Sequence, residues 1–369
     1  MNIHVDRKLL TSMVNIIKVI AKDNKSSAPA LSNIIISGDG KYLSLYNSNS
    51  ESSIKVTELI DEHEPFEFLI DSRRFINIIT LANKVETIKL STEDNYVIVS
   101  SGRSRNKLIT TPIEEYPKQY KHVYNTSVEI NSLIIRNTLL QVIDLCADND
   151  VRPYLNGVYF NIGHDTICAA ASNGVSLAES KQQHDFVLSN ACSCIIPKHI
   201  AAQLISIIGK KELLSEVFIS NNNIKFIIGN TEFSSTLIYG KYINYESIMP
   251  KNNELHLSVN KKELLESIER VSSIFNKKQL KCVKFQLIQN KMIIGCYDNQ
   301  EESVDEISID YDGEEYNIQM NADNVIPMLN SIDSNSVNIL FNQENNINSP
   351  VLIYGDDNSY RYVAMPIKL

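Results

Sequence analysis

No apolar run in this 369-residue chain is long enough to cross a bilayer. The opening Met1-Asn2-Ile3-His4-Val5-Asp6 lacks the charged-then-apolar order of an export signal. These two absences point to a cytoplasmic protein with no membrane partner. Cysteine is scarce: Cys146, Cys168, Cys192, Cys194, Cys282 and Cys296 form no CxxC pair, so buried free thiols are expected in place of a disulfide framework or a metal site. Positive charge is in deficit, 35 Lys and Arg against 44 Asp and Glu for a net charge of −9. That balance is wrong for a protein that grips nucleic acid through many phosphates. Catalytic signatures are missing as well. Gly38-Asp39-Gly40 lacks the third glycine and the following helix of a dinucleotide fingerprint, Gly240-Lys241 lacks the earlier glycine of a phosphate loop, and the seven histidines form no HExxH. No serine sits in a GxSxG elbow. No cofactor, metal or catalytic residue is therefore assigned. The sequon Asn125-Thr126-Ser127 has no meaning without secretion.

What is present is a repeat. A strand followed by a capped helix returns six times, with caps at Asp6, Asp71, Asn131, Pro197, Asn260 and Asn321, about 60 to 66 residues apart. Ile3 and Val5, Val128 and Ile130, and Leu257 and Val259 alternate ahead of the odd-numbered caps, as half-buried strands do. Helical spacing follows. Leu9, Leu10, Met13, Ile17 and Ile20 share one face, as do Ile135, Leu139, Ile143 and Cys146, and Leu264, Ile268, Val271 and Phe275. The even copies show Phe68 and Ile70, Ile195, and Ile318 and Met320 in the same place.

After the first helix come strands at Asn33–Ser37, Tyr42–Tyr46 and Ser53–Glu58; after the fifth come Val283–Leu287, a Gln289-Asn290 turn, Lys291–Tyr297 and Glu302–Ile309. The unit reads strand, helix, three strands. Paired units make an α+β chain of three similar domains, 1–125, 126–251 and 252–369, each near the common domain size. A hydrophobic content of 43% supports more than one core. The junctions near Tyr124–Ser127 and Met249–Asn253 carry no long Pro, Gly or Ser run, so rigid packing of the domains is expected. The acidic pairs Glu301-Glu302 and Asp305-Glu306, at the end of a hairpin, read as a solvated or partner-facing cluster.

Three stretches then carry a resemblance over the whole length. Ser101-Gly102-Arg103-Ser104-Arg105, Asp150-Val151-Arg152 with Tyr154-Leu155-Asn156-Gly157, and Tyr362-Val363-Ala364-Met365-Pro366-Ile367-Lys368-Leu369 are similar to the bacterial sliding clamps, the beta subunits of DNA polymerase III. The resemblance implies the sliding-clamp (processivity) fold, ring-forming as a head-to-tail homodimer with helices inside and sheets outside. It implies a non-enzymatic DNA sliding clamp that encircles duplex DNA without reading its sequence and tethers the replicative polymerase. A ring threaded by duplex is held by closure, so its lining needs only mild attraction, which reconciles the acidic net charge with DNA as a partner.

By resemblance, Lys25, Arg73, Arg152, Tyr154 and Lys198 touch DNA, as phosphate contacts that position the duplex; Pro153 stands where relatives often carry a second aromatic residue. The polymerase, the clamp loader and repair proteins are implied partners through short linear peptides docked in an apolar groove. Its walls would be Leu155, Ser172, Gly174, Leu177, Ile243, Ile248, Val363, Met365 and Pro366. Val175, Ser176 and Asn324 depart from the family's residues there. The dimer interface is implied to join Arg103, Arg105 and Leu108 to Ile274, Phe275, Glu301, Glu302, Asp305 and Glu306, a heterologous contact that must close on itself. Without the family, the basic residues are ordinary solvated helix faces. The alternative function is a repeat-domain scaffold that binds protein peptides without encircling DNA; an enzyme with a site assembled from scattered residues is a third.

Overall fold

The structure, a computed structural model, describes residues 2–21, 29–61, 63–82, 85–117, 122–184, 191–251, 253–275, 280–298, 301–342 and 349–367. Lys25, Lys368 and Leu369 lie outside the described residues. The repeat read from the sequence is the observed one: strand, helix, three strands, six times. The first unit is β1 (Asn2–Asp6), α1 (Arg7–Ala21), β2 (Asn33–Gly38), β3 (Tyr42–Ser48) and β4 (Ser52–Leu59). The second is β5 (Phe66–Asp71), α2 (Ser72–Leu81), β6 (Thr87–Glu93), β7 (Tyr96–Ser101) and β8 (Ser104–Ile109). The third is β9 (Thr126–Asn131), α3 (Ser132–Val142), β10 (Gly157–Ile162), β11 (Thr166–Ser172) and β12 (Ser176–Gln183). The fourth is β13 (Cys192–Pro197), α4 (Lys198–Ile208), β14 (Leu214–Ile219), β15 (Asn223–Ile228) and β16 (Thr231–Thr236). The fifth is β17 (Leu255–Asn260), α5 (Lys261–Ser272), β18 (Cys282–Ile288), β19 (Lys291–Asp298) and β20 (Glu301–Ser308). The sixth is β21 (Tyr316–Asn321), α6 (Ala322–Ser331), β22 (Ser336–Phe341), β23 (Val351–Tyr354) and β24 (Tyr360–Ala364).

Five of the six helices start where a side chain takes up an orphaned backbone N–H. Asp6 accepts from Leu9, Asp71 from Arg74, Asn131 from Leu133, Asn260 from Glu263 and Asn321 from Asp323, at 2.8 to 3.1 Å. Pro197, which offers no acceptor side chain, still ends β13 directly before α4. The buried stripe of α1 is Leu10, Met13, Val14, Ile17 and Ile20. Val14 thus takes the place expected for Leu9, because the stripe faces β3 and β4 on one side and α2 on the other. Asn290 sits at φ 62° in the turn between β18 and β19, a conformation that asparagine tolerates.

The sheets do not respect the units. β1 pairs with β6 of the next unit, while β5 pairs back with β2; the same exchange joins β9 to β14 and β13 to β10, and β17 to β22 and β21 to β18. A single unit would leave its own first strand unpaired, so consecutive units are joined by exchange of their first strands. Two further pairings, β4 with β16 and β12 with β24, extend the sheets to eight strands, β5-β2-β3-β4-β16-β15-β14-β9 and β13-β10-β11-β12-β24-β23-β22-β17. Two four-stranded sheets remain, β1-β6-β7-β8 and β20-β19-β18-β21.

The chain forms two compact units: residues 1–133 with 202–237, and residues 134–201 with 238–369. Each holds one eight-stranded and one four-stranded sheet. In the first unit, α1 and α2 pack on each other and on the sheets; in the second, α5 and α6 do so over a core that includes Leu264, Ile268, Phe285, Met320 and Met328. Among the described residues no helix is long and apolar enough to cross a membrane.

Candidate functional site

Within the second compact unit, the seam between β12 and β24 carries the residues expected to wall a groove. Leu177 stands opposite Val363, and Leu352 of β23 stands beside Val363. With Cys168, Ala170, Ile195, Tyr242 and Tyr245, Leu177 and Val363 form one buried cluster, against which Leu352, Tyr154, Tyr159, Ile243 and Met249 pack. Burying each such side chain contributes roughly 1.5 to 3 kcal/mol, so the floor is a rigid part of the core. Leu155 is buried nearby. At the surface, Ile248 is 44% exposed, Met365 38% and Val175 56%. Ser176 pairs with Ala364, so one step further out the register brings Val175 toward Met365 as an apolar rim.

The polar positions of this region hold it in shape. The Ser172 hydroxyl donates to the Ser176 carbonyl at 2.8 Å and accepts the Gly174 N–H at 3.1 Å. Ser176 is itself buried, and its hydroxyl accepts from Tyr362 at 3.1 Å; it closes the seam and does not line the rim. Gly174 has φ 88°, and a Cβ there would come within 2.6 Å of the Arg152 guanidinium, so only glycine fits. Pro366 is half-buried, and the Ile367 N–H donates to the Gln319 carbonyl at 2.8 Å, which ties the segment after β24 to β21.

Two features of the groove escaped sequence reasoning. The first is aromatic: Tyr159 stacks on Tyr242 at 5.2 Å between ring centres, and Tyr154 and Tyr245 meet Tyr242 edge-on. The signal was the run Tyr239, Tyr242, Tyr245 at a spacing of three after β16. The second lies beneath it. The Glu179 carboxylate, 1% exposed, accepts from Arg361 Nε at 2.7 Å and from the Tyr245 hydroxyl at 3.1 Å; Arg361 Nη2 and Lys181 Nζ also pair with it. Cys168 Sγ lies 3.2 Å from the Tyr245 hydroxyl, and burial pushes this thiol up to about 12, so it is inert at neutral pH.

Two of the basic residues expected at DNA, Arg152 and Lys198, are met by carboxylates. Arg152 donates to Asp150 through Nε at 2.9 Å and Nη2 at 3.0 Å, and the side-chain bond from Arg152 holds the Asp150 carboxyl down to about 2. Lys198 Nζ donates to Asp148 at 2.8 Å and to the Cys146 carbonyl at 3.1 Å. Tyr154 is half-buried against Tyr242, and Arg73 is exposed in the first turn of α2.

The residues expected at a subunit interface lie at two sheet edges. β8 is one edge strand of the first four-stranded sheet and β20 one edge strand of the other, with β1 and β21 at the opposite edges. Such an edge presents a row of backbone groups ready to pair. Arg103 is exposed just before β8, and Arg105 on it pairs with Glu93 at 3.0 Å. Leu108 is buried in its own sheet, and the exposed apolar residue there is Ile109. On the β20 side, Glu301 and Glu302 are exposed, Asp305 pairs with Arg270 at 2.6 Å and Glu306 with Lys291 at 3.0 Å. Ile274 and Phe275 are half-buried after α5, while Tyr297 and Val304 are exposed. Among the described residues no cluster of three or more His, Cys, Asp or Glu is placed to hold a metal ion.

Three family models match the chain in succession: the N-terminal domain of the DNA polymerase III beta subunit over residues 1–120, the central domain over 129–244 and the C-terminal domain over 246–368. The beta sliding clamp of Buchnera aphidicola is 28% identical over 365 residues, 98% of this chain and 97% of its own length. That of Haemophilus influenzae is 26% identical over 352 residues, 94% of each chain. Among solved structures, the Pseudomonas aeruginosa sliding clamp bound to griselimycin superimposes with a TM-score of 0.94 at 22% identity over the whole of both chains. The Bacillus subtilis clamp does so with a TM-score of 0.92 at 21% identity, over 100% of this chain and 99% of that one.

Proposed function

The chain belongs to the beta-subunit family of bacterial DNA polymerase III, the sliding clamps, and as a processivity clamp of that kind we propose that it works as a head-to-tail homodimeric ring around duplex DNA. The observation that carries this reading is the pattern of seams. Two seams are made within the chain, each joining the last strand of an odd-numbered unit to the last strand of an even-numbered one: β4 to β16 and β12 to β24. The strands left over are β20, last of the fifth unit, and β8, last of the second. A second copy supplies the missing partner for each, which makes a heterologous contact that closes. In this ring the three domains are residues 1–125, 126–251 and 252–369, with helices toward the bore and sheets outside.

Retention then comes from topology. Arg73, Arg152, Tyr154, Lys198 and, outside the described residues, Lys25 touch the duplex without reading it. Because Asp150 and Asp148 already hold Arg152 and Lys198, the contacts are weak, as sliding requires. The β12–β24 groove takes short linear peptides from the polymerase, the clamp loader and repair proteins, anchored by apolar side chains on Leu177 and Val363. The griselimycin-bound clamp of Pseudomonas aeruginosa fits a groove that takes peptide-like ligands. The clamp acts in the cytoplasm and performs no catalysis of its own.

The deciding experiment loads the protein onto nicked circular duplex and then cuts the circle. The protein is expected to stay bound through a high-salt wash while the circle is intact and to be lost within minutes after the cut; equal retention on circle and linear fragment would overturn encirclement. A second prediction concerns grip. Replacing Asp148 and Asp150 together with Asn is expected to tighten binding to short linear duplex about 3- to 10-fold and to steepen its salt dependence, because two cations are freed for phosphate. Anisotropy between 50 and 200 mM salt reads this, and an unchanged slope would remove Arg152 and Lys198 from the contact set.

A further inference from the structure

The β4–β16 seam of the first compact unit repeats the β12–β24 seam of the second, position for position, with a different floor. In the second unit one row across the sheet runs Ser172, Leu177, Val363, Leu352. In the first the corresponding row runs Ser48, Ser53, Ser234, Lys225, and continues to Phe218. One row over, Glu179 opposite Arg361 becomes Lys55 opposite Glu232. A tyrosine next to a short 3-10 turn packs on each: Tyr245 in the second unit and Tyr116 in the first, where its hydroxyl lies 2.8 Å from Ser48 Oγ and its ring packs with Leu31, Ile35 and Leu69. Between them the first seam keeps an open cleft of about 800 Å³.

The chemistry of this cleft is inverted relative to the groove. Where Leu177, Val363 and Leu352 would receive aliphatic anchors, Ser53, Ser234 and Lys225 offer hydroxyls and an ammonium group. An aliphatic side chain seated there would strip these groups of water and give nothing back. A carboxylate would accept from them in charge-assisted bonds. Lys225 Nζ lies 4.4 Å from the centre of the Phe218 ring and 5.7 Å from that of Tyr124, so the cation is framed by aromatic surface. Glu51 and Glu232 also line the cleft, and Glu232 stands opposite Lys55 in the β4–β16 pairing.

We propose that this cleft is a second docking site, for a linear peptide segment that carries an acidic residue beside an aromatic one. The acid meets Lys225 and the serine hydroxyls, and the ring lies on Phe218 and Tyr124. A client with an apolar segment in the groove and an acidic-aromatic segment here gains avidity from their linkage.

The test uses the full chain and a fluorescein-labelled six-residue peptide with aspartate on either side of phenylalanine, against the same peptide with asparagine for aspartate. The acidic peptide is expected to bind at least tenfold more tightly than the neutral one. Lys225→Glu should remove that preference while a leucine-rich peptide still binds the β12–β24 groove, and Ser53→Leu with Ser234→Val should turn the cleft toward the leucine-rich peptide. Equal affinity for the two phenylalanine peptides, no binding of either, or displacement of the acidic peptide by the leucine-rich one would overturn the proposal. The leucine-rich arm reads the groove separately, so failure of one site leaves the other standing.

Discussion

Val304→Pro is expected to leave each chain folded and to abolish self-association. The N–H of Ile309 donates to the Asn290 carbonyl at 3.2 Å, and in an antiparallel pair successive residues turn their N–H groups to opposite sides. On β20 the odd-numbered residues therefore point their N–H groups at β19, and residues 302, 304, 306 and 308 point theirs outward. By the same rule the Thr110 N–H donating to Asn95 at 2.9 Å places the outward groups of β8 at Arg105, Lys107 and Ile109. Proline at 304 removes no bond within the sheet, which is why proline is tolerated on edge strands. It takes away one seam hydrogen bond, worth about 1 kcal/mol, and its ring keeps the partner strand from closing on the bonds to either side. The dimer dissociation constant should rise about 100-fold or more, equivalent to at least ~2.7 kcal/mol, while the melting temperature of the separated chain barely moves. Sedimentation equilibrium over a range of concentrations measures the first and circular dichroism the second. An unchanged dimer would remove β20 from the interface.

Charge changes at the same edges should do less. Arg105 is engaged by Glu93, Asp305 by Arg270 and Glu306 by Lys291, all within one chain. Neutralising Arg103 and Arg105 together is expected to slow association and to shift the dimer toward monomer only moderately, since rim charges act mostly on rate and specificity.

The sequence made the repeat legible because its signals are local. A period of two, then an Asp or Asn cap, then a period near 3.6 can be read within about 25 residues, and the caps at Asp6, Asp71, Asn131, Asn260 and Asn321 all do the work assigned to them. Pairing is a different matter. Nothing in Ile3 and Val5 says that β1 joins β6 in place of β2, because both choices bury the same alternating face. The ion pairs were hidden for the same reason. Glu179 and Arg361 lie 182 residues apart, and Lys198 and Asp148 lie 50 apart. The candidate groove was named through a resemblance in local motifs, which gave wall residues such as Leu177 and Val363 but not Tyr159, Tyr242 and Tyr245, which pack with them. Ser176 shows what such a reading misses: it looks like an altered rim residue in the sequence, yet in the fold it is an internal tie to Tyr362.

Arg361→Met is expected to produce the largest loss of stability, with a characteristic dependence on pH. The Glu179 carboxylate is buried, and Arg361 bonds it twice. Removing the arginine leaves a carboxylate in the core with Lys181 and the Tyr245 hydroxyl as its remaining partners, a change of the kind that costs about 3 kcal/mol or more. Burial alone would raise the Glu179 carboxyl, but Arg361, with help from Lys181, outweighs it and holds the group below its ordinary value. A depressed carboxyl contributes stability that is present above the ordinary carboxylate range and is lost as pH falls through the native value. In the variant the burial effect is no longer outweighed, the carboxyl moves up, and protonation relieves the buried charge. Wild type should therefore lose stability on acidification while the variant recovers part of its deficit, so the gap between their melting temperatures is widest at neutral pH and narrows toward pH 4. Glu179→Gln combined with Arg361→Met should be less destabilised at neutral pH than Arg361→Met alone, because no charge is left stranded. Since Glu179 also holds Tyr245 and joins β12 to β24, peptide binding in the groove should weaken in Arg361→Met and return in part in the double variant. A deficit that is constant with pH and unrelieved by the second substitution would mean that Arg361 acts through packing of its aliphatic stem and not through the buried carboxylate.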